Sequence, residues 1–186
     1  TEKHGIIYPF ELYYGVVNGK KITVLLNNAT PIERERTEYA EFIAKWSSEI
    51  GVSKCILIGG LDPSIKTDPS ETYRWIPIGE SDIKLNAPIL SEKYVIGPLA
   101  LTMMFMNAYN IPGVAIFAYT ELYRPDPRAS AVAVEVVGQI LDVSISTKKL
   151  IEEATIIEAI EEERKKIISS VEGEVKSEKP RYSMHV

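Results

Sequence analysis

The segment GPLALTMMFMNAYNIPGVAIFAYTELYRPDPRASAVAVEVVGQIL, Gly97 to Leu141, decides the fold. Gly97-Pro98 opens a helix that is apolar almost all round and stops near Asn110-Ile111-Pro112, because proline just inside a helix start is tolerated and proline beyond its end is not. GVAIFAYTE then reads as a strand with no polar face, the pattern of a strand covered on both sides. A turn in which Pro125 and Pro127 bracket Asp126 leads into a second apolar helix, from Arg128 to Leu141. A buried strand between two apolar helices requires layers on both faces of a sheet.

Working toward the amino end, KCILIGG is another continuous apolar strand, while YRWIPIG and EKYVIG read as shorter ones. TPIERERTEYAEFIAKWSSEIG is expected to be a helix with Thr30 as N-cap, Pro31 at the first position, Glu33 completing a capping box and Gly51 stopping it. Its expected buried stripe is Tyr39, Phe42, Ile43, Trp46 and Ile50. ELYYGVVNGKKITVLLN reads as a hairpin turned at Asn18-Gly19, a pair that tolerates positive φ at both central positions. Toward the carboxyl end, TKKLIEEATIIEAIEEERKKIISSVEG is a long charged helix with an apolar stripe at Leu150, Ala154, Ile157 and Ile160. Glu161–Lys165 and Glu162–Lys166 stand in the favourable acid-before-base order on it. The expected class is α/β: a three-layer α/β/α sandwich with a mainly parallel central sheet over residues 1–146, the helix over 147–172 and a mobile tail over 173–186.

Composition fits one globular domain: of 186 residues, 45% are hydrophobic and 25% charged. A net charge of -5 and no basic stripe argue against nucleic acid as a partner. Cys55 is the single cysteine, which excludes an intramolecular disulfide and a cysteine zinc site, and its place in an apolar strand makes it a core residue. His4 and His185 are the only histidines and lie near the chain ends, so no Ser-His-Asp or Cys-His set is expected, and neither cofactor nor metal is implied. Without an apolar leader or a run long enough to span a bilayer, the expected setting is the cytoplasm with no membrane partner. The opening Thr1, in place of a methionine, leaves room for a removed leading segment.

The candidate site lies at the carboxyl end of the buried strand, where open α/β sheets bind ligands. Glu121, Tyr123, Arg124, Asp126 and Arg128 cluster there in sequence, and Gly60 and Gly97 could approach as backbone donors. Asp126 before Pro127 is read first as an N-cap, second as part of a partner- or ligand-binding loop, and last as a catalytic carboxylate. Asp62, Asp68 and Glu71 in LDPSIKTDPSETY miss the spacing of a calcium loop and are expected to form a solvated turn. Met103 to Met106 and the alanine- and valine-rich helix read as core, with Met103, Met106, Ala131 and Val134 as the candidate oligomer interface.

Taken in order, Gly59-Gly60 after a strand, Gly97-Pro98 opening an apolar helix, IPGVAIFAYTE, the DPRASAVAV helix and an acidic last helix resemble the proteasome assembly chaperone family, its archaeal members most of all. The resemblance spans Ile22 to Ile168. It implies a phosphorylase-like fold and a non-enzymatic chaperone that forms homo-oligomers and works with proteasome subunits. The alternative is a small-molecule-binding or hydrolase-like protein using a nucleoside-phosphorylase-type cleft. Family members usually begin with a strand, a glycine-rich turn and a helix, and nothing in Thr1 to Asn18 resembles that unit. Some archaeal relatives dock on the proteasome through a C-terminal hydrophobic-tyrosine-any-residue motif. Here Tyr182 stands ahead of Ser183-Met184-His185-Val186, so docking by that motif is not expected.

Overall fold

A computed structural model of the protein describes residues 7–121 and 124–177. Its centre is β5 (Gly113–Tyr119), every residue of which is buried. Successive strand side chains point to opposite faces. Ala115 and Phe117 therefore enter one cluster, with Ala44 of α1 (Arg36–Glu49) and Met106 of α2 (Pro98–Ala108). Val114 and Ile116 enter another, with Val136 of α3 (Pro127–Leu141) and Trp75. Burial of a side chain the size of Phe117 or Ile116 contributes about 1.5–3 kcal/mol.

β5 lies between β3 (Cys55–Leu61) and β4 (Tyr73–Ile78). It runs parallel to β3 and antiparallel to β4, so the sheet is mixed where a mainly parallel one was expected. The cause is the link after β3, which holds only a short 3-10 turn at Pro63–Ile65 and a loop. A parallel return needs a crossover of a dozen or more residues, usually a helix, whereas a strand reached without one comes back in the opposite sense. EKYVIG, read as a strand, pairs with nothing among the described residues. Val95 packs on the core while Tyr94 and Ile96 are exposed, which preserves strand alternation without a ladder.

The hairpin forms as read. β1 (Phe10–Val17) and β2 (Lys20–Asn27) pair in full register around Asn18 and Gly19, with φ of 50° and 74°. It is a separate sheet, and none of its residues is fully buried. Its ends are tied down. At the base the Tyr39 hydroxyl donates to Asn27 at 2.5 Å and the Phe10 and Tyr39 rings lie 5.0 Å apart; at the tip the Asn18 amide donates to the Asp142 carbonyl at 2.9 Å.

Helix α1 corrects two expectations. It begins at Arg36 after a 3-10 turn at Glu33–Glu35, and neither segment has a side-chain cap, so Thr30 and Glu33 form no capping box. Its fully buried residues are the small Ala40, Ala44 and Ser47, which let it lie close against α2, while Phe42 and Ile50 face outward. Gly51 ends the helix with φ 74°, as read. Met106 and Ala131, 3% and 1% exposed, are buried within the chain, while Met103 and Val134 are half-buried. Helix α4 (Lys148–Ser177) runs further than read. Ala154 is buried and Leu150 and Ile157 are half-buried, but Ile160 is exposed because the docked face ends near it.

The tightest constraint on the sheet is Gly113, where an added Cβ would lie 1.9 Å from the Cys55 carbonyl oxygen. Gly113→Ala is expected to destabilise the protein by about 1–3 kcal/mol or more, as overpacking does, in chemical denaturation. Gly15→Ala, with nothing within 4 Å of the added carbon, is the matched control and should change stability far less.

Candidate functional site

The turn from β5 to α3 brings Glu121, Arg124, Asp126 and Arg128 together, as their closeness in sequence requires; Tyr123 lies outside the described residues. Asp126 is the N-cap of α3. Its Oδ1 accepts from the Ala129 N–H at 2.9 Å, the role proline at the next position prepares. Arg128 donates to both oxygens of Glu158 on α4, at 2.7 and 2.8 Å, a two-pronged bond that holds the Glu158 carboxyl below its ordinary range. Arg124 pairs with Glu121 at 2.8 Å and with Glu161 of α4. Both arginines thus join α4 to the mouth of α3. Gly60 approaches this region through Thr120, whose methyl carbon would lie 2.5 Å from a Cβ at Gly60. Gly97 stands apart as the N-cap residue of α2, with φ 88°.

A second cluster beside the carboxyl end of β5 has more buried charge, and the sequence reading missed it. Glu71 and Arg74 form an ion pair at 3.0 Å with side chains 7% and 9% exposed. The Glu71 carboxylate also accepts from the Thr67 hydroxyl at 2.5 Å and the Tyr119 hydroxyl at 2.6 Å. These bonds, led by that from Thr67 and then that from Tyr119, with Arg74 adding to them against the opposing effect of burial, lower its pKa from 4.5 to about 2. Arg74 donates to Thr67 at 3.1 Å, and Lys66 lies 4.8 Å from the centre of the Tyr119 ring. The loop 61–73, read as a solvated turn, is therefore anchored through its last acidic residue. Asp62 and Asp68 do remain exposed, each accepting from a serine N–H two residues on. Glu71 at three residues before an arginine was the available signal, but one of its partners, Tyr119, is 48 positions away.

What this end of the sheet can do is hold a fixed surface. Its buried charge is paired and its turn arginines are occupied by carboxylates. Among the described residues no group of three or more His, Cys, Asp or Glu side chains could hold a metal. The Cys55 thiol is pushed up to about 11 by burial, which leaves it a packing residue.

The sequence matches the PAC2 family over residues 1–165. The chain belongs to the PAC2 family. Its fold is shared by solved structures at low identity. Pyrococcus furiosus PbaA, described as an archaeal homolog of proteasome-assembly chaperone, superposes with a TM-score of 0.65 at 18% identity, over 89% of this chain and 75% of that one. Pyrococcus furiosus PbaB, described as an archaeal proteasome activator, gives a TM-score of 0.71 at 16% identity over 84% and 71%. A PAC2 family protein from Streptomyces avermitilis gives 0.62 at 16% over 83% and 67%. No curated protein matches this PAC2 chain in sequence.

Two measurements separate cap from catalyst and test the buried pair in this PAC2 protein. Asp126→Ala should cost about 0.5–2 kcal/mol in denaturant unfolding and Asp126→Asn should recover most of it, since the amide oxygen still accepts the bond. For Glu71 the sign follows from its depressed pKa: its contribution is present above about 4.5 and is lost as pH falls toward about 2. Glu71→Gln should lower stability at pH 7, leaving Arg74 without its counter-charge, and should flatten the fall in stability across that acid window in pH-dependent thermal melts.

Proposed function

We propose that this PAC2 protein is a non-enzymatic, homo-oligomeric chaperone-like factor that acts in proteasome assembly or binding, in the cytoplasm of an archaeal cell. The observation that carries the reading is the shared fold with two Pyrococcus proteins, one described as a homolog of a proteasome-assembly chaperone and the other as a proteasome activator. Under this reading, the central sheet with helices packed on both faces is the core of a three-layer, phosphorylase-like sandwich. The mouth of α3, with Glu121, Arg124, Asp126 and Arg128, is the partner-binding loop, to which the sequence adds Tyr123, and Gly60 lies beside it.

The occupancy of Arg124 and Arg128 supports protein binding over phosphate chemistry. A phosphate or nucleoside cleft needs cationic donors free to meet an anion, and here Glu158 and Glu161 already take that place. The half-exposed pair of Arg128 and Glu158, each 51% exposed, presents a paired, mixed-charge surface to a protein partner.

Capture of archaeal proteasome α subunits on the immobilised protein tests the reading. Specific co-elution, weakened by Arg128→Ala, is the expected result. Titration with nucleosides, inorganic phosphate and ATP is the counter-test: saturable binding lost on Arg128→Ala, with no capture of α subunits, overturns it in favour of a small-molecule site.

A further inference from the structure

Of the six asparagines in the chain, Asn18 is the one followed by glycine; the others precede Asn28, Ala29, Ala87, Ala108 and Ile111. In an Asn-Gly pair no Cβ obstructs the next main-chain nitrogen as it approaches the side-chain carbonyl carbon, so the asparagine closes on its own backbone more readily there. Both residues are exposed at the hairpin tip. The same amide is a tether. Asn18 Nδ2 donates to the Asp142 carbonyl at 2.9 Å, across 124 positions of sequence. Asp142 ends α3 with φ 57°, and the chain turns back there, the Val143 N–H donating to the Gly138 carbonyl at 2.9 Å. The hairpin's other end is held by the Tyr39–Asn27 bond and by the Pro9 carbonyl, which accepts from Asn28 and Ala29. A two-stranded hairpin with no fully buried residue gains little stability from itself, so the position of its tip depends on the tether.

We propose that Asn18-Gly19 is a self-modifying site, at which deamidation releases the hairpin tip from the end of α3. The Gly19 main-chain nitrogen attacks the Asn18 side-chain carbonyl carbon. The new C–N bond closes a succinimide ring, the bond from that carbon to Nδ2 breaks, and ammonia leaves with the proton that Gly19 gives up. Water, the one co-reactant, then opens the ring at either carbonyl and leaves an aspartyl or an isoaspartyl linkage; nothing is oxidised or reduced. Either product removes the donor. An ionised carboxylate only accepts hydrogen bonds, so against the Asp142 carbonyl it loses the bond and adds repulsion, and the residue carrying that carbonyl is itself an aspartate. The isoaspartyl form also lengthens the main chain, which a tight two-residue turn cannot absorb. The tether guards its own site. While the amide donates to Asp142 and the turn holds Asn18 at φ 50°, ring closure must wait for the tip to open. Each opening exposes the pair to a permanent mark, and the mark prevents the tip from docking again. This inference is independent of the proteasome reading.

Ageing of the purified full chain in warm neutral buffer, followed by peptide mapping with mass detection, tests the chemistry. The peptide holding Asn18-Gly19 should gain the mass of an amide-to-acid exchange ahead of those holding Asn27, Asn86 and Asn107, in separable aspartyl and isoaspartyl forms, and should do so faster in denaturant than in the folded protein. Hydrogen exchange tests the release. Asn18→Asp reproduces one product and should speed exchange around Val17 to Lys20 and Asp142 to Ile145 by about two- to tenfold, the range that loss of one hydrogen bond allows. Exchange in β5 should stay as it is, which shows that the core is intact. Asn18→Gly keeps the turn and removes the donor without adding charge, so it should fall between wild type and Asn18→Asp. Modification at Asn18 no faster than at the other asparagines, or no faster in denaturant, overturns the proposal, and so does exchange near Asp142 that is the same in all three proteins.

Discussion

The central sheet and the helices on its faces are placed relative to β5. Its seven residues are all buried, its odd and even side chains feed two different clusters, and both of its edges are hydrogen-bonded. A strand with two apolar faces cannot rest on one layer of helices, so α1 and α2 must lie on one side and α3 on the other. The same constraint explains the small residues around it. Gly113 gives way to the Cys55 carbonyl, and Ala129, Ala131 and Ala133 are the buried alanines of α3. Close packing at β5 allows no spare volume, because interiors pack at crystal-like density and each misplaced methyl group is felt.

How much of this was legible in the sequence depended on the range of the interactions involved. From Gly97 to Leu141 the elements appear almost residue for residue, since proline starts, asparagine-proline stops and unbroken apolar runs are local signals. Asn18-Gly19 was legible for the same reason. The start of α1 was not: Thr30, Pro31 and Glu33 make a good local cap, yet the chain is still leaving the hairpin there, with the Asn28 and Ala29 N–H groups bound to the Pro9 carbonyl. EKYVIG had the alternation of a strand but pairs with no strand among the described residues, and strand preference describes a fit to neighbours more than a property of the segment. The direction of β4 was equally hidden, for it depends on where β5 inserts later in the chain.

The candidate site shows the same division. Asp126 could be read as a cap because its bond closes within three residues. The engagement of Arg124 and Arg128 by Glu161 and Glu158 could not, since it joins positions some thirty residues apart or more on elements whose docking is tertiary. Glu71 was misjudged because acidic residues in a serine- and proline-containing loop are usually solvated, and two of the three in this loop are. What separates the third is the Tyr119 hydroxyl and the Arg74 guanidinium. A carboxylate leaves water only where charge and donors replace its hydration, and those donors come from β4, β5 and the loop itself.

The distribution of these polar contacts sets an order of local stability. The Glu71–Arg74 pair is buried and shares its donors with β5, so it opens only as the core opens. The contacts of α4 are of another kind. Ala154 is its one fully buried residue with a described side chain, and the arginine pairs that fasten it are partly solvated, where an ion pair contributes from nothing to about 1 kcal/mol. Beyond Glu161 the described side chains of the helix are exposed, among them Ile167 and Ile168. α4 is therefore held less firmly than α1, α2 and α3. The fold thus places its replaceable contacts on the last helix and keeps its irreplaceable ones around β5.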